Sequence, residues 1–358
     1  MPPVPAVQSA DRLSPGIALG YGRSMPLTLH QISDLANVGF DTIIDVRSPA
    51  EYAEDHLPGA INLPVLDDAE RARVGTIYKQ QSPFLARKVG AALVARNVAA
   101  HLDGALADKP GGWQPLVYCW RGGQRSGSFA TILAQVGWRV EVLAGGYKAW
   151  RRLVVDQVQN RQVTAPVVVL DGNTGTAKTD ILALLRRRDV QVIDLEALAN
   201  HRGSLFGARA GGQPSQKAFE SRLARALASL DPARPVVVEA ESSKIGQVIV
   251  PKQLWAAMCG APRVQITAPL DQRADYLARA YSDLSKDPSR LAEVIDQLRG
   301  QQPHERVEHW LQLVRQGAFR DLAHDLVLQH YDPRYARHRA RSATMIEEVV
   351  ALNDLGEA

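Results

Sequence analysis

Cysteine is almost missing: of 358 residues only Cys119 and Cys259 are cysteines, far apart and in no Cys-x-x-Cys or Cys/His spacing. That excludes a disulfide framework and a structural zinc site, and it fits a reducing compartment. No apolar segment approaches the roughly 20 residues needed to cross a bilayer. Residues 1–11 hold no basic stretch followed by an apolar run, so no signal peptide is expected there. Internal repeats and low-complexity segments are also lacking. These absences lead to the expectation of a cytoplasmic protein with no membrane partner. What is present is ordinary for a globular chain: 46% hydrophobic and 22% charged residues, enough for substantial cores. The length suggests two domains. Lys and Arg number 42 against 38 Asp and Glu, a net charge of +4. That permits binding to a polyanion without demanding it; clustering of the cations would decide.

The first half alternates strands with helices. Residues 41–46 (Asp-Thr-Ile-Ile-Asp-Val), 116–118 and 138–143 read as strands, and 126–136 as a helix with apolar residues at helical spacing. A polar stretch at 151–165 reads as a linker. A second cycle follows, with strands at 167–170, 190–193, 236–238 and 264–267 and a helix at 179–188. From Leu270 onward the pattern is helical, punctuated by Pro288, Pro303 and Pro333. Strand-helix-strand repetition of this kind predicts parallel sheets covered by helices. The expected fold is therefore α/β: one parallel-sheet domain over residues 12–156, then a second α/β domain with a helical C-terminal extension over 165–358.

Between a strand and a helix lies Tyr118-Cys119-Trp120-Arg121-Gly122-Gly123-Gln124-Arg125-Ser126. Such a loop can point successive backbone N–H groups inward, reinforced by the positive end of the following helix. Gly122 and Gly123 permit a tight cradle, while Arg121 and Arg125 add fixed positive charge. A thiol in that field should ionise more readily than a free one. The same cradle suits a persulfide, a selenide or a tetrahedral oxyanion. The bland alternative for Cys119 is a small buried hydrophobe. Cys119 and Arg125 also have the spacing with which cysteine-dependent phosphatases surround phosphate, so dephosphorylation is a rival reading.

A second loop, Asp171-Gly172-Asn173-Thr174-Gly175-Thr176-Ala177-Lys178-Thr179, follows an apolar strand and opens a helix, the context in which a phosphate-binding loop is expected. Backbone N–H groups would wrap the phosphates, Lys178 would neutralise them, and Thr179 would hold Mg²⁺. Ala177 stands where glycine usually precedes the lysine, which restricts the turn or crowds the ligand. A strand-to-helix turn that merely favours glycine is the alternative. Glu239 and Glu241, just after a strand, and Asp194, at another strand's end, are candidates for acid/base work or a metal-water site, and equally for solvated strand ends. No metal is assigned.

Asp45-Val46-Arg47-Ser48-Pro49-Ala50-Glu51-Tyr52, His56-Leu57-Pro58-Gly59-Ala60-Ile61-Asn62 and Leu143-Ala144-Gly145-Gly146-Tyr147-Lys148-Ala149-Trp150 resemble the opening and closing signatures of rhodanese domains. Rhodaneses carry sulfur on the loop cysteine, which implies that role for Cys119; Asp45, Arg47 and His56 either shape the site or fix loops. Joined to the second loop, the chain resembles the tRNA 2-selenouridine synthase family, a rhodanese-like domain fused to a P-loop NTPase-like domain. Further marks are His201-Arg202-Gly203-Ser204-Leu205-Phe206-Gly207, Gln213-Pro214-Ser215-Gln216-Lys217-Ala218-Phe219-Glu220 and His330-Tyr331-Asp332-Pro333-Arg334-Tyr335.

The resemblance implies a transferase acting on the wobble uridine of tRNA. Geranyl diphosphate first alkylates the 2-thio sulfur, and selenium from selenophosphate then displaces the S-geranyl group. Both small molecules are co-substrates; no tightly bound cofactor is implied. Gly172, Asn173, Thr174, Gly175, Thr176, Lys178 and Thr179 would bind the diphosphate. Cys119 would accept or orient selenium, with Arg121, Gly122, Gly123 and Arg125 around its phosphate. His201 and Arg202 would contact RNA phosphate or the diphosphate, a capping turn being the alternative. Transfer from a selenophosphate-producing enzyme is a further implied partnership. Basic clusters at Arg151-Arg152, Arg186-Arg187-Arg188 and Arg334, Arg337, Arg339 and Arg341 offer a route for tRNA, though such runs are also ordinary solvated faces. Trp120 can stack on a splayed base or pack against its own loop. Cys259, in an apolar helical stretch, reads as structural. Two rivals remain: a phosphatase or sulfurtransferase fused to a nucleotide-binding domain, and a non-enzymatic RNA- or nucleotide-sensing module.

Overall fold

A computed structural model describes residues 26–341 and 346–356, except for the side chains of 338–341. The expected domain start at residue 12 and the side chains of Arg339 and Arg341 lie outside the described residues. The chain is α/β, with two separate parallel sheets.

The first sheet has four strands: β1 (Thr42–Asp45), β2 (Ala60–Asn62), β3 (Pro115–Tyr118) and β4 (Glu141–Val142), in the order β2-β1-β3-β4. All pairings are parallel, so every connection is a crossover carrying helices. These are α1 (Pro49–Glu54), α2 (Asp68–Gln80), α3 (Pro83–Asp103) and α4 (Gln124–Val136), and α5 (Gly146–Val155) follows β4. Ile44, Leu116 and Val117 have no exposed surface, as strands covered on both faces require. In register, Asp45 stands opposite Tyr118, which places Cys119 just past the carboxyl end of a central strand. That is where open parallel sheets bind their ligands.

The second sheet runs β11 (Ile346–Ala351), β10 (Arg263–Thr267), β5 (Val167–Gly172), β7 (Val236–Glu239), β6 (Gln191–Ile193), again all parallel. A small hairpin joins β8 (Lys244–Ile245) to β9 (Val248–Ile249). Helices α6 (Lys178–Arg187), α7 (Leu195–Ala199), α8 (Gln216–Ala228) and α9 (Lys252–Cys259) accompany it. A helical region follows: α10 (Leu270–Ala280), α11 (Ser282–Ser285), α12 (Pro288–Asp296), α13 (His304–Gln316), α14 (Phe319–Leu326) and α15 (Asp332–Arg341). Its own core gathers Phe206, Leu291, Ile295, Trp310 and Leu322.

Three expectations need correction. The stretch 151–165 is not an open linker: α5 continues to Val155 and passes into a π-helical turn, Asp156–Asn160, with Val154 and Val158 buried. The segment 138–143 yields only a two-residue strand, because Trp138 turns into the core, meets Trp113 edge-on at 5.1 Å and donates Nε1–H to the Pro110 carbonyl. The C-terminal region is not purely helical, since β11 closes the second sheet beside β10. Helix α8 docks the two units. Ser221 donates its hydroxyl to Asp55 (2.7 Å), as does Tyr147 (2.9 Å); Lys217 pairs with Glu54, and Arg151 with Glu220.

Candidate active site

Cys119 leaves β3 into a loop that wraps its own sulfur. Sγ accepts hydrogen bonds from the Gly123 amide (3.3 Å) and the Ser126 hydroxyl (3.2 Å). Burial alone would push the thiol up, but the Ser126 hydroxyl and the main-chain amides of Gly123, Ser126 and Arg121 outweigh it and hold Cys119 below its ordinary value. The 13-residue helix α4 begins at Gln124 and adds its positive end. The closing signature clamps the loop from outside: the amides of Tyr147 and Lys148 donate to the carbonyls of Cys119 and Trp120. Gly146 sits so close that any side chain there would run into the Cys119 carbonyl and the Gly122 amide.

The flanking residues divide in role. Arg121 is exposed at the loop's rim. Arg125 is anchored by Glu51 through Nη1 (2.9 Å), and Glu51 also meets Arg71. Asp45 and Arg47 form a buried ion pair (2.6 Å), in which Asp45 also accepts the Tyr118 hydroxyl and Arg47 donates to the Asp55 carbonyl. Their polar atoms are thus taken up in holding the loop's base. His56 stacks on Tyr52 at 3.9 Å and bonds its carbonyl. Trp120 packs against Tyr147, with ring centroids 5.3 Å apart.

The second loop leaves β5 and enters α6 as a phosphate loop does. Ala177 has φ 58° and ψ 27°, a left-handed turn that costs a residue bearing Cβ about 1–2 kcal/mol. The turn is therefore kept despite the methyl group. Lys178 Nζ donates to the Gly172 carbonyl (2.7 Å), and Thr176 to that of Asn173 (2.9 Å). The His330–Tyr335 motif lies directly against this loop. Asp332 accepts from Asn173 (2.8 Å) and from both terminal nitrogens of Arg273 (2.9 and 2.8 Å), whose Nε donates to the Thr174 carbonyl. The Thr174 hydroxyl lies 3.4 Å from that of Tyr335.

Three carboxylates converge behind Lys178. Ligand oxygens of Glu196, Glu239 and Glu241 lie within 4.8 Å of one another, and Glu196 also accepts the Thr179 hydroxyl. Burial, then the charge of Glu196, pushes the Glu241 carboxyl up to about 8; Lys178 opposes the rise. The same causes raise Glu239 well above the carboxylate range, and burial raises Glu196. Glu239 Oε2 is buried without a hydrogen-bond partner. Crowded carboxylates beside a hydroxyl suit a hard divalent cation such as Mg²⁺. Asp194 caps α7, accepting the Ala197 amide at 2.8 Å, and its charge adds to the rise of Glu196 and Glu239 without its joining their cluster.

Lys178, Thr179, Glu196, Glu241, His201 and Arg202 line one cleft of about 1820 Å³. His201 Nδ1 accepts the Gly203 amide. Arg202 lies over the Tyr281 ring (4.5 Å) and pairs with Asp283, leaving its buried Nη1 without a partner. Gly203, at φ 68°, is pressed against the Glu241 carboxylate, where a Cβ would approach to 2.6 Å. Glu196 was missed in sequence because it follows β6 inside a short helix with no motif around it. Of the basic clusters, Arg151 is spent on the Glu220 pair between domains, Arg186-Arg187-Arg188 are exposed, and Arg334 bonds Gln301 and His330.

A parallel sheet presenting a hydrogen-bonded thiol, followed by a sheet presenting a phosphate loop, defines a rhodanese-like domain joined to a P-loop-like α/β domain. Two family profiles match accordingly: a rhodanese-like domain over residues 28–153, and the tRNA 2-selenouridine synthase AAA domain over 165–316. Relatives named tRNA 2-selenouridine synthase are 35% identical in Pseudomonas syringae pv. syringae (85% of this chain, 90% of the relative) and 36% identical in Hahella chejuensis (85% and 87%). A third, from Aeromonas salmonicida, is 39% identical over 72% of this chain and 68% of its own. The chain belongs to the tRNA 2-selenouridine synthase family. No described helix is long and apolar enough to cross a membrane.

Proposed function

We propose that this chain exchanges the 2-thio sulfur of the tRNA wobble uridine for selenium through an S-geranyl intermediate, using geranyl diphosphate and selenophosphate in the cytoplasm. The supporting observation is the presence in one chain of two strand-to-helix loops, one wrapped around a hydrogen-bonded thiol and one carrying a lysine folded back on the loop's own Gly172 carbonyl. In the first step the uridine sulfur attacks C1 of the geranyl group at the phosphate loop. An S–C bond forms, the C1–O bond breaks, diphosphate leaves with the bonding pair, and the N3 proton passes to solvent. Lys178 and the loop amides stabilise the departing anion. A Mg²⁺ held by Thr179 with Glu196 and Glu241 would neutralise further charge there. Alkylation converts a poor leaving group into a good one.

In the second step the selenium of selenophosphate attacks C2 of the uridine, and the C2–S bond breaks to release geranyl thiolate. The Cys119 thiolate then attacks phosphorus. The P–Se bond breaks, its electrons stay on the selenium now attached to the uridine, and water cleaves the S–P bond to free phosphate. Loop amides, Arg121 and Arg125 hold the phosphoryl oxygens. On this reading the phosphatase-like spacing of Cys119 and Arg125 serves the selenium step. A stand-alone phosphatase or sulfurtransferase instead predicts phosphate release from simple esters, or sulfur transfer to cyanide, without RNA. The test is mass spectrometry of nucleosides from thiolated tRNA incubated with protein, geranyl diphosphate and selenophosphate. Lys178→Ala should stop before geranylation, and Cys119→Ser after it. Selenouridine formation by both variants overturns the proposal.

A further inference from the structure

A second hollow opens beside the phosphate loop, between α10 and the helices α12 and α14. Its walls include Phe206, Leu277, Leu284, Leu291, Leu322 and Leu326, and no charged side chain lines it. Thr174, Leu277, Tyr281 and Tyr331 line both this hollow and the large cleft, so the two spaces meet at the tip of the phosphate loop. The Tyr281 hydroxyl lies 3.5 Å from the Ser204 hydroxyl, which turns that polar end away from the hydrocarbon walls.

We propose that this hollow is the isoprenoid subsite for the diphosphate donor and sets its chain length; the proposal rests on the prenyl-diphosphate reading of the loop. A ribose or base placed here would have to bury hydroxyls and ring nitrogens against leucine side chains that cannot bond them, a loss an isoprenoid does not suffer. The volume, about 70 Å³, decides the length. At roughly 12 Å³ per water-sized position it takes about five or six such atoms, about one five-carbon unit. A two-unit chain would therefore lay its first unit across Leu277 and Tyr281 at the mouth and seat its second inside. A one-unit chain would leave the hollow unfilled, and a three-unit chain would overrun it.

The test is calorimetric titration of the full chain with inorganic diphosphate and with dimethylallyl, geranyl and farnesyl diphosphates, in the native protein and in Ala323→Phe and Leu291→Ala. Each buried methylene is worth about 0.8 kcal/mol. With about half of that transfer energy left after the chain is ordered, geranyl should bind roughly 30-fold tighter than dimethylallyl diphosphate, about 2 kcal/mol at 1.4 kcal/mol per tenfold. Ala323→Phe, which fills the hollow, should erase that advantage while inorganic diphosphate binds as before. Leu291→Ala, which enlarges it, should shift preference toward farnesyl; a single cooperative melt and an unchanged affinity for inorganic diphosphate certify each fold, a lower melting temperature being expected for Leu291→Ala because Leu291 is buried. If geranyl keeps its advantage in Ala323→Phe and preference does not move in Leu291→Ala, the subsite is elsewhere and the proposal fails, the loop's reading surviving. If no prenyl diphosphate outcompetes inorganic diphosphate while a nucleoside triphosphate does, the reading of the loop fails as well.

Discussion

The Cys119 thiolate can be tested through Ser126, whose hydroxyl bonds only the loop's own Cys119 sulfur and Gly123 carbonyl. Ser126 is fully buried, and its hydroxyl donates to Sγ at 3.2 Å. A hydrogen bond to a charged acceptor contributes about 1.5–3 kcal/mol. Replacing Ser126 with alanine removes that donor while burial, which disfavours the anion, stays. At a pH below the thiol's midpoint the thiolate population should fall about 10- to 100-fold, at 1.4 kcal/mol per tenfold. The remaining thiolate is the stronger nucleophile, with a Brønsted slope of about 0.4–0.5, which recovers nearly half of the loss on a logarithmic scale. The net drop in alkylation rate is then about 4- to 15-fold at low pH, and it reverses at high pH, where both proteins are fully ionised and the variant's more basic thiolate is the faster nucleophile by about 3- to 10-fold. The assay is the iodoacetamide rate against pH in a Cys259→Ser background, since Cys259 is exposed and would react in parallel. Overlapping profiles for Ser126→Ala and the parent, or a parent that reacts like an unassisted thiol, would refute the thiolate and with it the chemistry assigned to the loop.

The carboxylate cluster predicts a pH-dependent stability of unusual sign. With Glu241 pushed to about 8, the folded chain holds more protons than the unfolded one between the ordinary carboxylate range and that value. Stability should therefore fall as pH rises from about 5 to about 8, and MgCl₂ should restore it most at the upper end; melting temperatures flat in pH and blind to Mg²⁺ would deny the cluster. Asp332→Asn weakens the pair with Arg273 and one bond to Asn173, so inorganic diphosphate should bind about tenfold more weakly, roughly 1.4 kcal/mol. Titration calorimetry reads it, and unchanged affinity would mean that the His330–Tyr335 motif does not support the loop.

The parts of the fold legible in sequence are those whose evidence is local. β1, β3 and β5 are apolar or β-branched runs that end in glycine or polar turns, and each lies within a residue or two of its expected bounds. Helix α2 left no apolar stripe to read, because none of its 13 residues is buried; only the Asp67–Glu70 capping box marks it. β11 was hidden for the complementary reason. It is an edge strand carrying Glu347 and Glu348, with five of its six residues exposed, and its pairing with β10 is created by the fold.

The same division runs through the site. Cys119, Gly123 and Ser126 fall within eight consecutive residues, and so do Gly172 and Lys178; each loop's chemistry is written in one stretch of chain. What completes the second loop comes from afar. Arg273 and Asp332 brace it across sequence separations of 99 and 159 residues, and Glu196 reaches Thr179 across 17. A carboxylate has no local signature that separates a solvated strand end from a buried cluster, so Glu239, Glu241 and Asp194 looked alike in sequence. Their surroundings separate them: Glu239 and Glu241 are driven toward the neutral acid by desolvation and then by the charge of Glu196, whereas Asp194 spends an oxygen on a helix cap. The His330–Tyr335 motif was visible as a pattern but not as a function, because its partner is Asn173 at the other end of the domain, and only folding brings the two within a hydrogen bond.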